Sequence, residues 1–187
     1  MRVVLLGPPG AGKGTQGRRL AARYQLTHID AGHIVRTHVA EGTVVGQAAR
    51  PYTDRRELLP DELAVAMIGK HLLDAVRVGG YVLDGFPRKL QAQQWLQDTG
   101  FSPQVVLALE VNDSELIRRL AGRARDDGDH GSRLAHRLRQ YHDESESVFQ
   151  RYAELALLRT VDATGPPDVV TTRIATVLRS VAVTQEP

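Results

Sequence analysis

Lys13 stands among four glycines, Gly7, Gly10, Gly12 and Gly14, with Thr15 just beyond, in the stretch GPPGAGKGT. Glycines at this density let the backbone turn tightly and approach a ligand where a Cβ would obstruct it. Successive N–H groups in this turn can then converge on one anion. Lys13 adds a slim point charge of the kind that suits phosphate. The chain holds 21 arginines and three lysines, so a lysine kept at this position is itself a signal. Spacing from Gly7 to Lys13 fits a phosphate-binding loop, except that the hydroxyl residue falls one place late, at Thr15.

Such a loop works only if a strand delivers it and a helix leaves from it, because the helix N-terminus offers unpaired donors and a positive dipole end. Arg2 to Leu6 reads as a short buried strand and Gln16 to Tyr24 as the helix, opened by Gly14 and Thr15. Further strands are expected at Leu26–Asp30, Tyr81–Leu83, Gln104–Val111 and Leu157–Asp162. Helices are expected at Ala31–Glu41, Val44–Tyr52, Leu63–Val76, Lys89–Thr99, Asp113–Arg123, from about Leu134 to Leu155, and at Pro167–Val181. Pro60-Asp61-Glu62 supplies a helix start, and Asn112 or Asp113 a cap. The alternation predicts an α/β fold with a parallel five-stranded sheet covered on both faces, hence three layers. Ligands in such folds gather at the carboxyl ends of the strands, where the phosphate loop, Asp84 and the turn after Asp162 all fall.

With 187 residues and 42% apolar content the chain is the size of one domain with a real core. Its 24 basic residues face 22 acidic ones, so the sequence pI of about 9.1 does not indicate nucleic-acid binding. There is no cysteine, which excludes disulfides and thiolate metal sites, and the seven histidines show no metal-ligand spacing. No apolar run reaches membrane-spanning length. The expectation is a cytoplasmic monomer without a membrane or nucleic-acid partner.

GPPGAGKGTQ (Gly7 to Gln16), HIDAGHIVR (His28 to Arg36), LDGFPR (Leu83 to Arg88), RRLAGR (Arg118 to Arg123) and RLRQY (Arg137 to Tyr141) together resemble the adenylate kinase family of nucleoside monophosphate kinases. The likeness spans nearly the whole chain, with the motifs in order. It implies a P-loop NTPase fold with a helical acceptor-binding flap near residues 30–59 and a short lid near 123–133. It also implies transfer of the γ-phosphoryl of Mg-ATP to AMP, giving two ADP. The acceptor phosphate, with a second pKa near ~6, is already mostly dianionic at neutral pH. Charge and placement remain to be supplied, which suits a site rich in arginine and lacking a catalytic triad.

The resemblance implies that the Lys13 side chain and the amides of Gly10, Ala11, Gly12, Lys13, Gly14 and Thr15 hold the β- and γ-phosphates of ATP, with Mg²⁺ oriented through water by Asp84 and with Thr15 close by. Arg36 and Arg88, beside Ala31 and Gly85, correspond to the clamp on the acceptor phosphate. Arg119 and Arg123 correspond to the pair reaching the donor and the transferring group. Arg137 corresponds to an arginine brought in by the lid, and Thr164 lies in the segment beside the donor adenine. Arg118, Arg133 and Arg139 read as solvated charges and Trp95 as packing.

Departures from the pattern gather at the acceptor base. Ala31-Gly32-His33 replaces the usual Thr-Gly-Asp, and the alanine is similar to UMP/CMP kinases. Ala92 stands where the adenine-reading glutamine is usual, so Gln91 or Gln93 becomes the candidate reader. Arg56 replaces a flap glycine, bearing on Glu57 and Leu59, which would line the base. The lid reads Arg123-Ala124-Arg125-Asp126-Asp127, with Arg125 taken as its second arginine. Two alternatives follow: a UMP/CMP or relaxed monophosphate kinase, and a nucleotide-binding protein without turnover.

Overall fold

The computed structural model describes residues 1–55, 57–123, 141 and 145–184, with the side chains of 121–123 and 182–184 left aside. Arg56, Arg125, Arg137 and the whole of the expected lid loop lie outside the described residues, as does the side chain of Arg123.

In chain order the elements are β1 (Arg2–Leu6), α1 (Lys13–Tyr24), β2 (Thr27–Asp30), α2 (Ala31–Glu41), α3 (Val44–Arg55), α4 (Asp61–Arg77) and β3 (Tyr81–Asp84). There follow α5 (Leu90–Asp98), β4 (Val105–Glu110), α6 (Asp113–Arg123), α7 (described at 145–154), β5 (Leu158–Asp162) and α8 (Pro167–Thr184). The five strands form one sheet in the order β2-β3-β1-β4-β5, and every pairing is parallel. This bears out the expected α/β fold. Because β1 is central, the loop that leaves it opens onto the crevice at the carboxyl ends of β3 and β4.

Both faces of the sheet's centre are buried, which is why β1, β3 and β4 read as apolar runs, while the edge strands β2 and β5 carry polar residues. Val3 and Leu5 point to one face, where Leu20 of α1, Leu116 of α6 and Ile174 of α8 meet them. Val4 and Leu6 point to the other, against Met67 and Leu72 of α4, Leu96 of α5 and Val148 of α7. A fully buried side chain of this size contributes roughly 1.5–3 kcal/mol, so the crevice is floored by the best-held part of the molecule. Trp95 packs between Phe86 and Phe101, with ring centroids at 6.4 and 5.7 Å.

Most boundaries differ from the sequence reading by one to three residues. The first helix already begins at Lys13, with Gly12 in the left-handed region (φ 97°) at its cap. The third runs past Pro51 to Arg55, three residues beyond the expected end at Tyr52. Proline removes its own helical donor but leaves those of later residues intact.

Helices α2 and α3 form the excursion between β2 and α4. Gly42 (φ 64°) ends α2, and the Thr43 hydroxyl accepts the Gly46 N–H at 3.1 Å to start α3. A methyl group on Gly46 would lie 1.9 Å from the His38 carbonyl oxygen, so the two helices touch through bare backbone. Gly46→Ala is therefore expected to destabilise the fold by about 1–3 kcal/mol as an overpacked contact. Thermal melting checks this, and an unchanged midpoint would mean that the helices part without cost. Among the described residues no helix is long and apolar enough to cross a membrane.

Candidate active site

The phosphate loop leaves β1 at Leu6 and is pressed against its neighbours. A Cβ on Gly7 (φ 147°) would meet the Leu109 carbonyl oxygen at 2.8 Å, and one on Gly10 (φ 89°) would meet Leu120 at 3.0 Å. Only glycine fits these two places. The Lys13 ammonium folds back over the loop, donating to the carbonyls of Gly7 at 2.7 Å and Pro8 at 3.1 Å. Thr15 lies in the first turn of α1.

Asp84 ends β3 in register with Leu5 of β1 and Asp30 of β2. It is 7% exposed, and a methyl on Gly14 would lie 3.4 Å from its Oδ2, which places the carboxylate against the start of α1. Burial raises its pKa to about 6; Asp30 pushes the same way, against Lys13, Arg88 and Arg18. No cluster of three or more metal-ligating side chains occurs among the described residues.

A folded pKa above the unfolded 3.8 has a definite sign for stability. In protein free of nucleotide and metal, the contribution of Asp84 is fully present below about pH 4 and fades as pH rises through about 6. Asp84→Asn should therefore be more stable than the parent at pH 7.5, by on the order of 2–3 kcal/mol, with the gap closing at pH 4. Melting curves across this range decide it, and a gap independent of pH would contradict the shift.

On the β2–β3 side the acceptor candidates converge. Asp30 caps α2 by accepting the His33 N–H at 2.8 Å, which fixes the first turn carrying Ala31 and Gly32. A methyl on Gly32 would lie 3.0 Å from Arg36 Nη1, so this guanidinium folds back over that turn. Arg88 Nε donates to the Gly85 carbonyl at 3.1 Å, and a methyl on Gly85 would lie 3.8 Å from Arg88 Nη2 and 3.9 Å from the Ala31 Cβ. Ala31, Gly85, Arg36 and Arg88 thus share one corner.

The base candidates separate more clearly. On α5, Ala92 is fully buried and its N–H donates to Asp61 Oδ2 at 3.1 Å, Gln93 is 4% exposed, and Gln91 faces solvent. Exposed Glu57 pairs with Arg55 at 2.9 Å, and Leu59 is half-buried.

On the opposite side, Arg119 of α6 reaches the segment after β5. Its Nη2 donates to the Ala163 carbonyl at 2.9 Å, while Glu115 holds its Nε at 2.7 Å. Hydrogen bonds from Arg118 and Arg119 hold the Glu115 carboxyl down to about 2. Thr164 donates its N–H to Asp162 Oδ1 at 2.9 Å, and Arg173 braces the same turn through the Thr164 carbonyl at 2.7 Å. Between Arg119, the phosphate loop and residues 163–167 lies a cavity of about 480 Å³.

The family model described as adenylate kinase matches residues 5–157. The chain belongs to the adenylate kinase family. It is 43% identical to an adenylate kinase of Thermobifida fusca over 187 residues, covering 96% of this chain and 99% of that relative. Adenylate kinases of Pseudarthrobacter chlorophenolicus (36%; 96% of this chain, 97% of the relative) and Synechococcus sp. (40%; 95% and 98%) match at similar coverage. The family's phosphoryl transfer between nucleotides is the activity of this chain.

The described residues place Lys13, Asp84, Arg88 and Arg119 around one crevice, with Arg36 on α2 beside it. Glu115 and Gln16 escaped the sequence reading. Glu115 could have been found from its spacing, three and four residues before Arg118 and Arg119 on one helical face. Nothing local to Gln16 reveals its partners, which lie 151 and 155 residues away.

Proposed function

We propose that the chain transfers the γ-phosphoryl of ATP reversibly to AMP, with the donor in the cleft beside Arg119 and the acceptor in the corner of Arg36 and Arg88. The observation that carries this reading is the position of the Lys13 ammonium and Asp84 carboxylate between those two arginine-bearing sides. Lys13 and the amides of Gly10 to Thr15 hold the donor phosphates. Arg36 and Arg88 hold the acceptor phosphate in line, and Arg119, Arg123, Arg125 and Arg137 complete the cationic set. Since the acceptor is already a dianion, no side chain need remove a proton.

The oxygen donors at the start of α1 suit a hard divalent cation. Asp84 is buried with its pKa pushed up, Asp30 is its strand neighbour, and Thr15 lies in the adjoining turn. Such residues fit Mg²⁺ carried on nucleotide phosphates, with Asp84 acting through water, better than a cage made of protein ligands alone. When bound, Mg²⁺ offsets the charge on the β- and γ-oxygens. Asp84 and Thr15 orient it.

For the acceptor base, Gln93 is the reader this reading favours, since it lies on the buried side of α5 and Gln91 does not. The deciding experiment is steady-state transfer from Mg-ATP to AMP, CMP, UMP, GMP and dTMP in parallel. AMP is expected to be the preferred acceptor. Preference for a pyrimidine would overturn the acceptor assignment and point to Ala31, and absence of turnover with every acceptor would overturn the reading as a whole.

A further inference from the structure

Gln16 is the residue after Thr15, and its side chain is 2% exposed. A primary amide so deeply buried needs partners for both ends, and it has them on α8. Nε2 donates to the Pro167 carbonyl at 3.0 Å, and Oε1 lies 2.8 Å from the Thr171 hydroxyl.

The direction of these bonds follows from their chemistry. The Pro167 carbonyl only accepts, so the NH₂ end of Gln16 must face it. Oε1 therefore faces Thr171, whose single hydroxyl proton it shares with the Pro167 carbonyl, each acceptor lying at 2.8 Å. Arg19 closes the chain, donating to Thr171 Oγ1 at 3.3 Å and pairing with Asp168.

Gln16 and Pro167, bonded to each other, both border the donor cavity. Its floor includes Gly10, Gly12 and Thr15, and its far wall includes Gly165 and Pro167. Gln16 joins floor to wall. A nucleoside triphosphate bound in one conformation spans a set distance from base to phosphates, so the separation of floor and wall decides whether both ends can be held at once.

We infer that Gln16 is a positioning residue that sets the wall of the donor-base pocket at a fixed distance from the phosphate loop, acting through Pro167 and Thr171. This rests on the reading that the cavity beside Arg119 takes the donor nucleoside.

The test compares Gln16→Met, which keeps packing but loses both bonds, with Thr171→Val, which loses one, and Thr171→Ser, which keeps the hydroxyl. Kinetic constants for ATP and AMP are measured, together with inhibition by inorganic tripolyphosphate, which offers phosphates without a base. Gln16→Met should raise KM for ATP about five- to tenfold, the scale of two hydrogen bonds. The kcat, KM for AMP and Ki for tripolyphosphate should stay within about twofold, because the bonds lost touch neither the acceptor nor the phosphate loop's amides. Thr171→Val should fall between, and Thr171→Ser should sit near the parent.

Parent-like KM for ATP in both Gln16→Met and Thr171→Val would overturn the inference. Equal loss of ATP and tripolyphosphate binding would also overturn it, since Gln16 would then only support the fold. Arg119→Ala is the control for the site itself. If it raises KM for ATP while Gln16→Met does not, the inference alone fails; if it leaves KM for ATP unchanged, the donor-site reading falls and the inference with it.

Discussion

Lys13→Ala is expected to lower kcat by about 10³ while leaving the fold intact, the loss seen when one preorganised charge is removed from a developing anion. The lysine is anchored by the Gly7 and Pro8 carbonyls, at 2.7 and 3.1 Å, so its ammonium is held over the loop before any ligand arrives. That preorganisation makes the charge effective. The loop's shape does not depend on it, because the positive φ angles of Gly7, Gly10 and Gly12 and the contacts with Leu109 and Leu120 persist in the variant. ATP should still bind through the amides, with a higher KM. Lys13→Arg should not restore activity, since a planar guanidinium cannot replace a compact ammonium where backbone crowds it. Steady-state transfer with Mg-ATP and AMP, beside a melting curve, separates these effects. A kcat within tenfold of the parent would remove Lys13 from the reaction.

The phosphate side of the site was legible in the sequence because its chemistry is local. Gly7 to Thr15 is continuous, and its constraints are backbone constraints that leave glycine at fixed spacing. Asp84 and Arg88 were also readable, being at and just beyond the end of a strand that pairs with β1. The sheet followed from apolar runs that a parallel arrangement requires.

What stayed hidden depends on groups brought together over long distances in sequence. Gln16 looks like any polar residue in the first turn of a helix until α8 is laid beside it. The choice between Gln91 and Gln93 is a question of which side of a nine-residue helix is covered, and only the packing of α5 against the sheet and α4 shows it. The end of α3 was also hidden: the expected helix already ran through Pro51 to Tyr52, and the structure carries it on to Arg55.

Burial explains why the two sides of the crevice should respond differently to substitution. On the donor side, Arg119 is held by Glu115 and by backbone carbonyls before any nucleotide binds. On the proposed acceptor side, Arg36 is exposed on α2 and Arg88 sits on the loop after β3. In the proposed reading the donor pocket is therefore largely preformed, whereas the acceptor corner draws one of its two arginines from the exposed face of α2.

Arg88→Ala is accordingly expected to cost about 10³ in kcat/KM for AMP, the lower end of what a transition-state arginine supplies, with KM for ATP little changed. The guanidinium is set by its own loop: Nε donates to the Gly85 carbonyl at 3.1 Å, which holds Nη2 beside Gly85, the glycine that Ala31 also borders. An acceptor phosphate at that corner can receive two parallel bonds from Arg88 and further charge from Arg36. Arg88→Lys should recover little, because lysine offers a point charge where a planar fork aligns the attacking oxygen. Kinetics with AMP varied at saturating Mg-ATP measure the effect. A loss falling on KM for ATP instead would exchange the two sides of the crevice, placing the donor at Arg88 and the acceptor beside Arg119.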